Sequence, residues 1–95
     1  MNKTQAGKKK VVFSIEFDDN LEHQVFVAGS FNDWDSEAKP LTRKVGSNTY
    51  STTLMLRAGV YEYKFVVDGV WCVDAGNSEF TPNDMGTLNS VIKID

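Results

Sequence analysis

Apolar and polar residues alternate along most of this chain with a period of two. In "VVFSIEF" (residues 11–17) the odd positions are all apolar, whereas Ser14 and Glu16 lie on the opposite face. This alternation is typical of a β-strand with one buried face. Further segments predict strands in the same way, namely "QVFVAGSF" (24–31), "LTRKV" (41–45), "TYSTTLMLRAG" (49–59), "VYEYKFVV" (60–67), "VWCVD" (70–74) and "TLNSVIKID" (87–95).

Turn-forming residues separate these segments at close spacing, and no segment shows a helix-length 3.6-residue period. The longest interruption, "AGNSEFTPNDMG" (75–86), is expected to be a polar loop. About seven short strands of this kind predict an all-β fold, specifically an antiparallel β-sandwich of immunoglobulin-like type.

The segment "VVDGVW" (66–71) predicts a tight hairpin, because Asp68-Gly69 between two apolar runs favours a two-residue type I′ turn. The turn fixes the register and sets Trp71 opposite Val66, on the same face as Lys64. A lysine is rarely buried without a partner, so this face is expected to be the outer one. The hairpin therefore predicts an exposed tryptophan beside an ammonium group on a rigid sheet.

Length and composition fit one domain. The chain has 95 residues, 41% of them hydrophobic, and we assign residues 10–95 to the domain and residues 1–9 to a flexible basic tail. No apolar run approaches the ~20 residues of a membrane span, and the basic N-terminus precedes no apolar signal region. A cytoplasmic location without membrane contact is expected. The single cysteine, Cys72, excludes an internal disulfide, and its inward position predicts an inert buried thiol.

The charge distribution argues against nucleic acid as a partner. The formal net charge is −3, but four of the ten basic residues lie in the first ten positions, which leaves −7 on the rest of the chain. A body of that charge repels phosphate backbones. The short basic N-terminus is interpreted as a solvated end.

The acidic residues and the one histidine are the remaining candidates for catalytic or metal-binding groups. Asp33 and Asp35, or Asp68 and Asp74, suggest a calcium site or an acid/base pair, but their turn contexts explain them structurally. His23 has no second histidine or nearby cysteine for a metal and is expected at the surface. We therefore expect no catalysis, no metal and no cofactor.

Three segments in order carry a family resemblance: "VFVAGSFNDW" (25–34), "YEYKFVVDGVWCVD" (61–74) and "GTLNSVI" (86–92). Together they resemble the starch- and glycogen-binding modules of carbohydrate-binding module family 48, nearest to the type found in the β subunit of the AMP-activated protein kinase. The likeness covers about residues 10–95. It implies an immunoglobulin-like sandwich that binds α-1,4-linked glucans without catalysis. It also implies a glycogen-metabolising enzyme or a kinase-type complex as partner.

The resemblance also implies a set of binding residues in this chain. The set comprises two aromatic residues that stack on sugar, three polar contacts and one residue that presses against the curved glucan, in this order: Trp34 and Trp71, then Lys64, Thr87 and Asn89, then Met85. Met85 departs from the family pattern, which has an aliphatic residue there. Its flexible side chain weakens the expected grip on a bent chain.

These residue types suit a sugar on chemical grounds. A glucose ring has apolar C–H faces and a rim of hydroxyls, so it needs flat apolar area and hydrogen-bonding groups. Tryptophan supplies the area, Asn89 offers a donor and an acceptor, and Lys64 offers donors. Asn89 has the opposite parity to the apolar residues of the last strand and is expected to point outward.

Alternatives remain open from the residues alone. Trp34 is equally well interpreted as closing one end of the core, although Phe31 is the better core candidate. Thr87 and Asn89 also suit capping of backbone groups in a loop. The alternative for the whole domain is a protein–protein interaction module on the same fold that has lost sugar binding. The coincidence of the complete polar and aromatic set favours the glucan interpretation.

Overall fold

The computed structural model describes residues 7–95, and within that range every regular element is a β-strand. Eight strands follow along the chain: β1 (Lys8–Glu16), β2 (Val25–Gly29), β3 (Thr42–Arg43), β4 (Thr49–Arg57), β5 (Gly59–Val67), β6 (Val70–Cys72), β7 (Phe80–Pro82) and β8 (Leu88–Ile94). Among the described residues no helix has the length and apolar character to cross a membrane.

The strands form two antiparallel sheets. The smaller sheet has the order β1-β4-β3, and the larger has the order β2-β5-β8-β7, with β6 paired to the end of β5. Strand β5 is central because β2 pairs along one side of it, while β8 and β6 share the other side. The predicted all-β sandwich is confirmed.

The core lies between the apolar faces of the two sheets. Phe13 from the smaller sheet meets Tyr63 edge-on, with the ring centroids 4.9 Å apart, and Phe65 and Val27 are fully buried beside them. Burying a side chain of this size stabilises the fold by about 1.5–3 kcal/mol. Phe31 packs on Phe13 with a centroid distance of 5.4 Å. Of the two aromatic residues in the loop after β2, Phe31 and not Trp34 therefore packs against the core.

The β5–β6 hairpin has the predicted turn and register. Asp68 and Gly69 have φ values of 50° and 84°, as a type I′ turn requires, and Val66 pairs with Trp71. The register prediction is therefore confirmed. Cys72 lies on the core side but is half-buried, and its partial burial raises the pKa of the thiol.

Three details differ from the sequence-based expectations. The predicted loop 75–86 contains β7, a short edge strand in which Pro82 is tolerated because an edge leaves one side unpaired. Strand β1 begins at Lys8, so Lys8 and Lys9 belong to a strand and not to the predicted tail. Residues 1–6 of that tail lie outside the described residues.

The third difference is His23, which is not a free surface residue. Its ring stacks on Phe17 with a centroid distance of 4.0 Å, and its side chain is only 12% exposed. Its backbone N–H donates to the Tyr50 hydroxyl at 2.9 Å. The residue therefore anchors the segment between β1 and β2.

Candidate functional site

An open groove of about 730 Å³ runs over the larger sheet on the face that points away from the core. We call it the aromatic groove. It is lined by Ser30, Trp34, Glu62, Lys64, Trp71, Pro82, Asn83, Asp84, Met85 and Asn89. Five of the six residues implied by the resemblance line it, and the sixth, Thr87, is hydrogen-bonded to Lys64. The fold thus brings together residues from three separate stretches of sequence.

Trp71 takes its place in the groove from the β5–β6 hairpin. Opposed residues of an antiparallel pair share a face, so the pairing with Val66 turns the indole to the outer side of the sheet. The side chain is 42% exposed. A flat apolar surface is therefore open to a ligand on a rigid support.

Trp34 reaches the groove from the tight loop that follows β2. Asp33 and Trp34 both have left-handed backbone conformations, with φ values of 56° and 59°, which cost about 1–2 kcal/mol for residues other than glycine. The Asn32 side chain holds the loop, since its carbonyl oxygen accepts from the Gly29 N–H at 3.0 Å and its amide donates to the Val27 carbonyl at 3.1 Å. Trp34 itself is half-buried and is absent from the core cluster.

Gly29 permits this loop because the chain passes very close to β5 there. A Cβ at Gly29 would lie 2.5 Å from the Glu62 carbonyl oxygen, which is closer than real contacts allow. The Ser30 N–H donates to the same oxygen at 2.9 Å. The loop with Trp34 is thereby fixed against the strand that carries Lys64.

Asn83 organises the turn between β7 and β8, and the sequence analysis missed it. Its side-chain oxygen accepts from the backbone N–H groups of Met85 and Thr87 at 2.9 and 3.1 Å. Its amide nitrogen donates to Thr87 Oγ1 at 2.7 Å and to Asn89 Oδ1 at 2.9 Å. Both acceptor and both donor positions are thus used. The "NDMG" turn sequence was the available signal, because asparagine often bonds the backbone two residues ahead.

The polar groups of the groove form one continuous chain of hydrogen bonds. Lys64 Nζ donates to Thr87 Oγ1 at 2.9 Å, and Asn89 Nδ2 donates to Glu62 Oε1 at 2.9 Å. Asn83 joins these two contacts. The groups are therefore oriented before any ligand arrives, which reduces the entropy lost on binding.

The expected exposure of Asn89 is wrong. The residue lies on the outer side of β8 as expected, but it is only 7% exposed, and its amide and carbonyl groups are hydrogen-bonded to Glu62 and Asn83. The unhindered bidentate group that the sequence suggested is largely committed within the protein. Glu62, which was not among the predicted site residues, lines the aromatic groove and accepts a hydrogen bond from Asn89.

Met85 lies at the apex of the β7–β8 turn and is 89% exposed. An apolar side chain so far from any packing partner gains contact area only when a ligand covers it. This is the position that the resemblance assigns to contact with a curved glucan.

Two other kinds of candidate site are less suited to a ligand. A second hollow of about 540 Å³ is lined by Asn20 and the 43–48 turn, none of which is aromatic. Among residues 7–95 no group of three or more histidine, cysteine, aspartate or glutamate side chains is arranged to hold a metal ion. The aromatic groove is therefore the site of interest.

A small β-sandwich with aromatic side chains set above oriented polar groups has the architecture of a carbohydrate-binding module. Comparison with known proteins identifies the particular kind. The chain belongs to the family described as the glycogen recognition site of AMP-activated protein kinase, which matches residues 11–95.

Individual relatives are similar over 75% of this chain. The chain is 38% identical over 71 residues to the 5'-AMP-activated protein kinase subunit beta-1 of Sus scrofa. These 71 residues are 75% of this chain and 54% of that protein. Identity to subunit beta-1 of Homo sapiens is also 38%, and to subunit beta-2 of Mus musculus 37%, over 24% and 25% of those proteins. The chain thus spans about half of the first relative and a quarter of the others.

Proposed function

We propose that this domain binds α-1,4-linked glucans, such as glycogen and maltooligosaccharides, without catalytic activity of its own. The observation that carries the proposal is the meeting of Trp34 and Trp71 in one open groove with the polar chain from Lys64 to Glu62. The tryptophans supply apolar faces for glucose rings, and the polar chain supplies partners for the hydroxyl rim.

The magnitudes predict weak binding by a single site. Aromatic stacking is worth about 0.5–1.5 kcal/mol beyond buried area, and each exposed hydrogen bond contributes about 1 kcal/mol net. Two such rings and a few hydrogen bonds give a Kd of roughly tens of micromolar to millimolar. Two or more copies of the domain joined in one complex would attach to a single polymer more strongly through effective concentration.

In this proposal the domain anchors a partner to the polymer. The beta subunits that it resembles are named as subunits of a kinase, so a kinase-type complex or another glycogen-metabolising enzyme is the partner we propose. The cytoplasmic location expected from the sequence belongs to the same proposal.

The test is a titration with maltoheptaose followed by amide chemical shifts, with cellohexaose as the linkage control. Saturable shifts around Trp34, Lys64 and Trp71 with the α-glucan alone are expected. Trp71→Ala should abolish them. Phe80→Ala is the matched control, because Phe80 is 43% exposed, nearly the same as Trp71, yet lies outside the aromatic groove.

Three results of this titration would contradict the proposal. Shifts that survive Trp71→Ala, or that appear equally with cellohexaose, contradict the proposed site or its linkage preference. No shifts at millimolar maltoheptaose in a folded sample exclude glucan binding and leave the interaction-module alternative.

A further inference from the structure

The direction of each hydrogen bond in the aromatic groove determines which groups remain free for a ligand. Asn83 has none, since all four of its side-chain positions are used within the protein. The side-chain amide of Asn89 donates one hydrogen to Glu62, and its side-chain carbonyl oxygen accepts one from Asn83. These two residues therefore position others more than they offer contacts themselves.

One end of the chain is a donor end. Thr87 Oγ1 accepts from Lys64 Nζ at 2.9 Å and from Asn83 Nδ2 at 2.7 Å, which fills both of its acceptor positions. Its own hydroxyl hydrogen is left to donate. Lys64 retains two further N–H groups beyond the one given to Thr87. A ligand atom at this end must accept.

The other end is an acceptor end. Glu62 Oε1 accepts from Asn89 Nδ2, and a carboxylate offers about four acceptor positions, so most of its capacity remains unused by that bond. Glu62 is half-buried and lines the aromatic groove. An ionised carboxylate can only accept, so a ligand atom at this end must donate.

We infer that Glu62 accepts directly from a glucan hydroxyl, while Lys64 and Thr87 donate to the neighbouring hydroxyl of the same ring. The inference rests on the proposed function and specifies its ligand as an unmodified vicinal diol. A sugar hydroxyl both donates and accepts, so two adjacent hydroxyls bridge an acceptor and a donor in sequence.

The spacing on β5 suits this arrangement. Glu62 and Lys64 are alternate residues on one face, which places their backbones roughly 6.6–7 Å apart along the strand. Both side chains therefore reach the same region of the groove, where one hydrogen bond to the carboxylate and one from the ammonium, each about 2.8 Å long, can hold two adjacent hydroxyls of one ring.

Glu62→Gln tests the inference against a structural role. The glutamine keeps a carbonyl oxygen that can accept from Asn89, so a residue that only positions Asn89 should tolerate the change. A direct acceptor loses its charge and presents an NH₂ group to the hydroxyl. We expect maltoheptaose affinity to fall about fivefold or more, because bonds to charged groups are stronger than neutral ones.

Glu79→Gln is the matched control. It is the same change of residue type and charge, but Glu79 is exposed and does not line the aromatic groove. The affinity of this variant for maltoheptaose should change less than about twofold, as expected for an exposed, solvent-screened charge away from a neutral ligand. The resonances of the Asn89 side-chain amide report whether the internal bond persists in Glu62→Gln.

The outcomes separate this inference from the proposed function. If the original protein does not bind maltoheptaose, the proposed function itself fails. If the original protein binds and Glu62→Gln binds equally well, the direct contact of Glu62 is disproved while glucan binding stands. Equal losses in Glu62→Gln and Glu79→Gln would assign the effect to general charge and also overturn the inference.

Discussion

His23 Nδ1 lies 2.7 Å from Asp68 Oδ2, which joins the segment after β1 to the tip of the β5–β6 hairpin. The other ring nitrogen is 2.9 Å from Asp19 Oδ1. Asp68 is tied further, because its Oδ1 accepts from the Gln24 N–H at 2.9 Å and its own N–H donates to the Gln24 carbonyl at 2.8 Å. The hairpin that carries Trp71 is therefore held at its tip by a histidine between two carboxylates.

This contact predicts a pH-dependent stability. Hydrogen bonds to Asp68 and then to Asp19 raise the pKa of His23, and the bond to His23 lowers the pKa of each carboxyl. The histidine contribution is full below the unfolded pKa of about 6.5 and disappears as pH rises through the folded pKa. The carboxylate contributions are present above about pH 3.9 and disappear as pH falls.

We therefore expect the urea midpoint to be higher at pH 5.5 than at pH 8.5. His23 is the single histidine of the sequence, so His23→Gln should remove most of that difference without ambiguity. A midpoint difference that persists unchanged in His23→Gln would contradict the role of this contact. The imidazole pKa, followed by NMR, gives an independent measurement of the upward shift.

Gly29→Ala is expected to destabilise the domain and to weaken glucan binding together. The new methyl group would lie 2.5 Å from the Glu62 carbonyl oxygen, so either β5 or the Trp34 loop must move. Overpacking of this kind typically costs about 1–3 kcal/mol. Gly76→Ala is the control, since its Cβ would meet only the Asp74 side chain at 3.4 Å. Comparable losses in both variants, by chemical denaturation and maltoheptaose titration, would contradict the argument.

Asn83 offers a graded test of the turn that carries Met85 and Thr87. Asn83→Ala removes all four side-chain bonds and should weaken maltoheptaose binding about tenfold, because the turn loses the order it had before binding. Asn83→Asp retains acceptors for the two backbone N–H groups but loses both donors, so an intermediate loss is expected. Titration of both variants, with amide spectra to verify folding, checks the ranking.

The positions of Asn83 and Glu62 also show where sequence-based prediction ends. The face of Trp71 was predictable because the Asp68-Gly69 turn is local and fixes the register of the short strand β6 that follows it. Asn89 was placed on the correct side of its strand, but its burial depends on Asn83 from a turn and Glu62 from another strand. No local period encodes such a contact. Parity thus predicts the face of a side chain, and tertiary contacts decide its availability.

The missed strand β7 has a related cause. It consists of three residues at a sheet edge and ends in Pro82, so it has too few residues for an alternating pattern and includes a residue that disfavours strands. Its pairing with β8, Thr81 against Asn89, comes from the sheet already formed by β5 and β8. The strand nonetheless matters for the site, because Asn83 follows directly after it and its pairing with β8 positions Asn83 beside Asn89.

Met85 gives the last prediction, which concerns the one site residue that departs from the family pattern. Its side chain is 89% exposed and must lose its rotational freedom when a glucan covers it. That loss costs about 1.5–2 kcal/mol for methionine but only about 0.5–1 kcal/mol for leucine, which has a similar apolar volume. Met85→Leu should therefore bind maltoheptaose about two- to fivefold more tightly, while Met85→Ala should bind more weakly through lost contact area. Calorimetry separates the two causes, since the leucine gain should be mainly entropic. Equal affinity of all three proteins would show that position 85 does not contact the glucan.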